Sequence, residues 1–350
     1  MININKWGKL SSLCTVALLS IIIYSCDTTK TPDVSAVEVK LSSSRLDRDL
    51  ATIDTNNIGA GLAQLSAKYP HVLDFYLDTL MGFGIKGDYV DDNPAIKEGL
   101  KTFLTHKDYR GVFDSVNAHF EDTKELEKQI ELGLKYTKYY IPDYREPNFV
   151  YVVSGLNNWG AFSFGDNNVG IGLDMFLGEG YPFYRSVGIA TYMYTKLDEQ
   201  YLPVAVFRAI YQNRHEFLAD GKSLLDMMIQ RGKEMYFLEK VLPFVSNEVR
   251  LGYTPEQLAW CEANEGMIYD FFIRENLLYE NSIQKVIRYV MDGPSSTGMP
   301  EASPGDIGAW VGLQIVKAYA NEHQELSVQE IIDSEIEAQR ILTESKYKPK

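Results

Sequence analysis

The stretch from Asp198 to Glu239, DEQYLPVAVFRAIYQNRHEFLADGKSLLDMMIQRGKEMYFLE, constrains the fold more than any other part of the chain. Its first half, from about Leu202 to Arg214, is apolar on nearly every side, which predicts a buried helix. Its second half opens at Ser223 and repeats Leu224, Leu225, Met228, Ile229, Met235 and Tyr236 at helical spacing, which predicts a second. Two neighbouring helices this apolar need a large core around them. With 45 % hydrophobic residues over 350, the chain can supply one.

The beginning of the chain sets the compartment. Lys6 and Lys9 are followed by an apolar run from Leu13 to Ile23, too short to span a bilayer. Ile23-Tyr24-Ser25-Cys26 then resembles a bacterial lipobox. The expectation is a cleaved signal peptide over residues 1–25 and acylation, such as palmitate, on Cys26, with an ordinary signal peptide as the alternative. Of the three cysteines, Cys14 falls in the signal, so Cys261 alone remains and no intramolecular disulfide can form. Flanked by apolar residues, Cys261 reads as a small core side chain. The formal charge of -14 would fall to -16 on loss of Lys6 and Lys9. That excludes nucleic acid as a partner and leaves the lipid as the membrane contact.

Residues 26–44 read as a polar tether ending in a short edge strand at Val37–Leu41, and 45–345 as a single domain with sub-lobes 45–145 and 146–345. Helices are expected near 57–68, 70–81 and 121–140. Gly87 to Pro94 is acidic but lacks EF-hand spacing, so it reads as a solvated loop capping the helix after it. Three short strands are expected at 149–153, 160–164 and 168–173, forming a small, mainly antiparallel sheet. Asp174 would stand on its rim, facing the helices. Thr254-Pro255-Glu256-Gln257 opens a long helix to about Tyr279. Ser303 to Asp306 reads as a further capping box, and Gly308 and Gly312 lie on one face of the helix it starts. A last amphipathic helix is expected over 328–342. The fold class is α+β and predominantly helical.

Chemistry is sparse. No two of the five histidines are three or four apart, so no helix offers two imidazoles on one face. No metal site, cofactor, nucleophile elbow or P-loop is expected. The candidate cleft residues are acidic: Asp174, Glu262, Glu265 and Asp306, with ordinary solvated acids as the competing explanation. Tyrosine is abundant, at 23 residues, and reads as core more readily than as a glycan-binding groove.

Several segments together resemble the gliding-motility lipoprotein family GldB of Bacteroidetes. They are Arg45 to Leu50 (RLDRDL), Lys68-Tyr-Pro70, Gly170 to Asp174 (GIGLD), Leu224 to Ile229 (LLDMMI), Gly252-Tyr-Thr, Gln257 to Cys261, Asn264-Glu265, Asp292-Gly-Pro, and Gly298 to Gly312. The resemblance implies a cell-envelope protein, lipid-anchored to the inner or outer membrane and facing the periplasm, working with other motility or secretion proteins. It also implies a zincin-like fold, in which a small sheet precedes a helix bearing the HExxH zinc motif. Laid on this chain, that motif falls at Phe207, Arg208 and Tyr211, with the later acidic ligand at Arg231. None of these can hold zinc, so the resemblance implies a pseudoenzyme acting as an interaction scaffold. The alternative is a hydrolase or substrate-binding lipoprotein using a cleft between Asp174 and the helices at 202–238 and 305–320.

Overall fold

A computed structural model describes residues 31–157 and 160–350. The expected signal segment, Cys26 and the start of the tether lie outside the described residues. Val34–Lys350 forms one compact unit. Helix accounts for 55 % of the chain and strand for 6 %, so the α+β, predominantly helical expectation holds.

The sheet differs from expectation. It has four strands in the order β1-β2-β4-β3: β1 Ser42–Arg45, β2 Asn148–Val152, β3 Ala161–Phe164 and β4 Asn168–Gly172. β1 pairs parallel with β2, β2 pairs parallel with β4, and only β3–β4 is antiparallel, so the sheet is mixed. Two long-range events cause this. β1 begins directly after the expected Val37–Leu41 strand and pairs far along the chain, Ser42 with Asn148. β4 inserts between β2 and β3 instead of continuing a meander. Parallel neighbours are buried on both faces, which fits the burial of Phe149 and Tyr151 on one face of β2 and of Val150 and Val152 on the other.

The RLDRDL segment leaves β1 and anchors the next layer of helices. Arg45 grips Asp47 through two hydrogen bonds of 2.9 and 2.6 Å and donates to the Phe120 carbonyl. Arg48 donates to the carbonyls of Phe120 and Glu121. Two cations thereby neutralise the end of the Lys107–His119 helix, where orphan carbonyls and the helix dipole favour positive charge. The acidic loop bonds to helix starts on either side of it. Asn93 caps the turn after Pro94 by accepting from Ala95 N, and Asp91 accepts from Gly59 N of the Ile58–Lys68 helix.

The Leu202–Gln212 and Leu224–Val241 helices form as expected, the second with a capping box between Ser223 and Asp226. The Ile307–Glu322 helix crosses the 224–241 helix so closely that glycine is required on both sides. A Cβ on Gly312 would overlap the Met228 carbonyl group, and Gly232 faces it across the crossing. This is the central packing of the molecule.

Three expected helices are interrupted. The 254–279 helix is two, Pro255–Ala263 and Glu265–Arg274, because Asn264 folds its side chain back onto the Trp260 carbonyl. The last helix is Val328–Asp333 and Ala338–Ser345, because Lys233 draws Ser334 inward, donating to its carbonyl and hydroxyl at 2.5 and 2.9 Å. The segment after Pro70 is a turn, Val72–Asp74, leading into a π-helical run, Phe75–Leu80.

Buried tyrosines bear out the core reading of that residue. Tyr76, Tyr184 and Tyr253 donate to the carbonyls of Val153, Asp174 and Asp306. The Cys261 thiol is fully buried, and burial pushes its pKa up to about 12.

Candidate functional site

The middle of the molecule holds an ionic cluster, assembled by residues far apart in sequence. Glu234, in the middle of the 224–241 helix, is 2 % exposed. Arg231 one turn earlier donates Nη1 to Glu234 Oε2 at 2.7 Å and Nη2 to Asp306 Oδ2 at 2.9 Å. Gln212 donates to the same Glu234 oxygen at 3.3 Å. Arg208 Nε lies 2.8 Å from Glu234 Oε1, an ion contact whose N–H is not aligned for a hydrogen bond. Arg231 Nε and Asp306 Oδ1 also have no partner among the described residues, although both are sealed from solvent.

Backbone strain delivers Asp306. It occupies the left-handed region at φ 54°, which costs a non-glycine residue on the order of 1 kcal/mol or more. The expected capping box does not form: Ser303 Oγ accepts from Ser296 N, and Asp306 turns its side chain to Arg231 instead of the helix start. The 292–306 loop is itself ordered, with Ser296 donating to the Pro304 carbonyl at 2.7 Å. Its other end supplies Asp292, which holds Lys196 Nζ at 2.5 Å. Gly252 makes room for that lysine, since a Cβ there would stand 2.7 Å from Lys196 Cε.

The charges are mutually tuned. Burial alone would lower the Arg231 pKa, but Asp306 and Glu234 raise it above its ordinary value. Burial pushes the Asp306 carboxyl up even with Arg231 beside it, because that guanidinium is shared with Glu234 and Asp292 adds repulsion. Burial also opposes ionisation of Asp292, yet Lys196, Arg208 and Arg231 together bring its pKa below normal.

Beside the cluster lies a cleft of about 260 Å³ between the sheet end and the 202–212 helix. Its walls are mixed: Met175, Phe176, Met193, Leu197, Val204 and Val249 give an apolar side, and Lys196, Tyr201, Arg208, Gln212 and Asp292 a polar one. The helix face turned to it carries Val204, Ala205, Arg208, Ala209 and Gln212.

The expected site residues separate into several places. Asp174 is on no rim: it is fully buried, and its carboxylate accepts from Ser154 N at 2.7 Å, Ser154 Oγ at 3.0 Å and Leu156 N at 2.7 Å. It holds the turn at Gly155 and Leu156, both at positive φ, and burial raises its pKa while those donors pull it back. Glu262 and Glu265 line a separate pocket of about 310 Å³ with Trp310 and Lys317, where Glu265 accepts from Tyr347 Oη at 2.8 Å. Phe207 packs against Gly133 of the Lys124–Tyr140 helix, and Tyr211 is buried and stacked on His215, so neither faces the cleft. Arg208, Arg231 and Asp306 do meet.

Gln212, Glu234, Lys196 and Asp292 were not evident from the sequence. One signal for them existed: Arg231, Lys233 and Glu234 sit mid-helix between the apolar runs Met227–Ile229 and Met235–Leu238, a place where charge survives only when paired. Among the described residues no group of three or more histidine, cysteine, aspartate or glutamate side chains could hold a metal ion. No described helix is long and apolar enough to cross a membrane.

The family model described as gliding motility protein GldB matches residues 27–349. The chain belongs to the GldB family. No curated protein and no solved structure matches it. GldB membership makes it a gliding-motility-associated lipoprotein of the cell envelope. The RLDRDL grip, the glycine crossing and the 292–306 loop that brings in Asp306 are thus parts of a GldB chain.

Proposed function

We propose that this GldB-family protein is anchored through lipid on Cys26, tethered by the residues after it, and supports gliding motility or its associated secretion machinery as a non-catalytic interaction protein. The matched range opens at Asp27, one residue after Cys26, the residue at which a mature lipoprotein would begin. One observation carries the non-catalytic part. Both oxygens of Glu234 are occupied by cationic or amide groups, Arg208 on one and Arg231 with Gln212 on the other. Oε2 is taken by two hydrogen bonds and Oε1 faces the Arg208 guanidinium, so positive charge already stands where a metal ion or an incoming proton would have to approach.

A degenerate peptidase frame fits the chain with its register moved by one residue. Arg208 and Gln212, four apart on the cleft face, are better counterparts of paired ligands than Phe207 and Tyr211, and Glu234 replaces Arg231 as the later acid. A guanidinium then stands where such a relative would carry its cation. Deletion of the gene, complemented by wild type or by Cys26→Ala, tests the proposed role through colony spreading and membrane fractionation. Full motility without the gene would sink it. Stoichiometric zinc by elemental analysis, in protein purified without chelator, would sink the non-catalytic part.

A further inference from the structure

Two arginines share Glu234, and they differ in what their terminal nitrogens do. Arg231 spends both terminal nitrogens on carboxylates. Arg208 has one polar contact among the described residues, through Nε, and its terminal nitrogens have no hydrogen bond there. Nε is sealed from solvent whereas those nitrogens are not, and the cleft is the described pocket that Arg208 lines. A guanidinium presents its terminal donors as a planar fork that matches a carboxylate in two parallel bonds. Here the fork is already held in place by Glu234 at its base.

The surroundings narrow the ligand. Charged groups lining the cleft are Lys196, Arg208 and Asp292. Lys196 is committed to Asp292 and the base of the Arg208 guanidinium to Glu234, so what faces the cleft is one two-donor fork, the match of a carboxylate. A phosphate dianion would bring a second negative charge with no further cation to meet it. The walls beside the fork, Met175, Phe176, Met193 and Leu197, offer apolar surface and few donors. At about 260 Å³ the space suits the end of a chain better than a whole polymer.

We propose that the cleft binds the carboxylate end of an apolar chain, with the terminal nitrogens of Arg208 taking the carboxylate and the apolar chain lying along Met175, Phe176, Met193 and Leu197. This rests on the reading of the protein as a non-catalytic interaction protein and adds the cleft as one place where it binds. Two sources share the chemistry: the last residue of a polypeptide with an apolar C-terminus, and a fatty acid.

The test is calorimetric titration of the full chain, in non-ionic detergent, with four probes: N-acetyl-Ala-Leu as acid and as amide, hexanoate, and hexanamide. At least one acid is expected to bind no less than tenfold more tightly than its amide. Arg208→Gln should weaken that acid at least tenfold, and so should Ala205→Phe, which fills the cleft and leaves the ion contacts in place. Preference for the peptide acid identifies a polypeptide end, and preference for hexanoate a fatty acid. The proposal is overturned if neither acid binds the wild-type chain, if acid and amide bind equally, or if both variants bind as wild type does. The acid-against-amide comparison uses the wild-type chain, so a variant that fails to fold cannot shield it. Tight acid binding alongside full motility of an Arg208→Gln strain would overturn the motility role of the cleft and leave its ligand standing.

Discussion

Replacing Gly312 by alanine is the most demanding test of the central packing. A Cβ there would stand 2.6 Å from the Met228 carbonyl carbon and 3.2 Å from Gly232 N. The Met228 carbonyl oxygen is nearer still, and ordinary contact with carbon needs about 3.4 Å or more, so the two helices must separate by more than about an ångström, and a gap of that size forfeits about half of each contact's dispersion energy. The obstacle is backbone, which cannot rotate away as a side chain would. Overpacking against backbone costs about 3–4 kcal/mol here, just above its usual range of about 1–3 kcal/mol. Alanine's better helix propensity returns roughly 1 kcal/mol, leaving a net loss of about 2–3 kcal/mol. For a domain this large each kcal/mol moves Tm by about 2 °C, so the expected drop is about 4–6 °C. Gly180→Ala is the control, because a Cβ there meets nothing within 4 Å and its backbone lies outside the left-handed region. The measurement is thermal unfolding by circular dichroism on both variants. A Gly312→Ala melting point within 1 °C of wild type would refute the close crossing.

Asp174→Ala should destabilise the fold by about 3 kcal/mol, since two backbone N–H groups and a hydroxyl lose their acceptor inside the core; urea unfolding reads it, and a loss under 0.5 kcal/mol would contradict the assignment. Arg231→Met should cost about 3–5 kcal/mol by leaving Glu234 and Asp306 short of a partner. Adding Glu234→Gln to Arg231→Met should recover part of that loss, and equal stability of the single and double variants would argue against a shared ion network. Burial lowers the Lys233 pKa to about 8 from 10.5. The unfolded chain therefore holds the extra proton between those values, and this lysine adds stability as pH rises from about 8 toward 10.5. Wild type measured against Lys233→Met should gain about 2–3 kcal/mol across that window; a pH-independent difference would mean the ammonium stays charged.

Local features were legible in the sequence because their causes are local. The Ser223–Asp226 and Thr254–Gln257 capping boxes form where spacing predicts them. The apolar 202–212 and 224–241 helices are buried as their composition requires. Gly308 and Gly312 do mark a close approach. Asp174 misled because a lone acid after a glycine-rich strand looks like a rim residue. Its three donors come from Ser154 and Leu156, in a turn before two intervening strands, and no periodicity carries them.

The sequence alone determined where most helices lie, which faces are apolar and to which family the chain belongs, since propensity, capping and motif identity act within a few residues; where helices break, as at Ser334, a tertiary contact decided. Tertiary structure decided the sheet order and the polar centre. β1 reaches β2 across several intervening helices, and Arg208, Glu234 and Asp306 meet from three separate segments. A charge in a sequence has no environment until the chain folds around it. Only burial made Glu234 need two arginines, and only the cleft left one of those arginines with donors to spare.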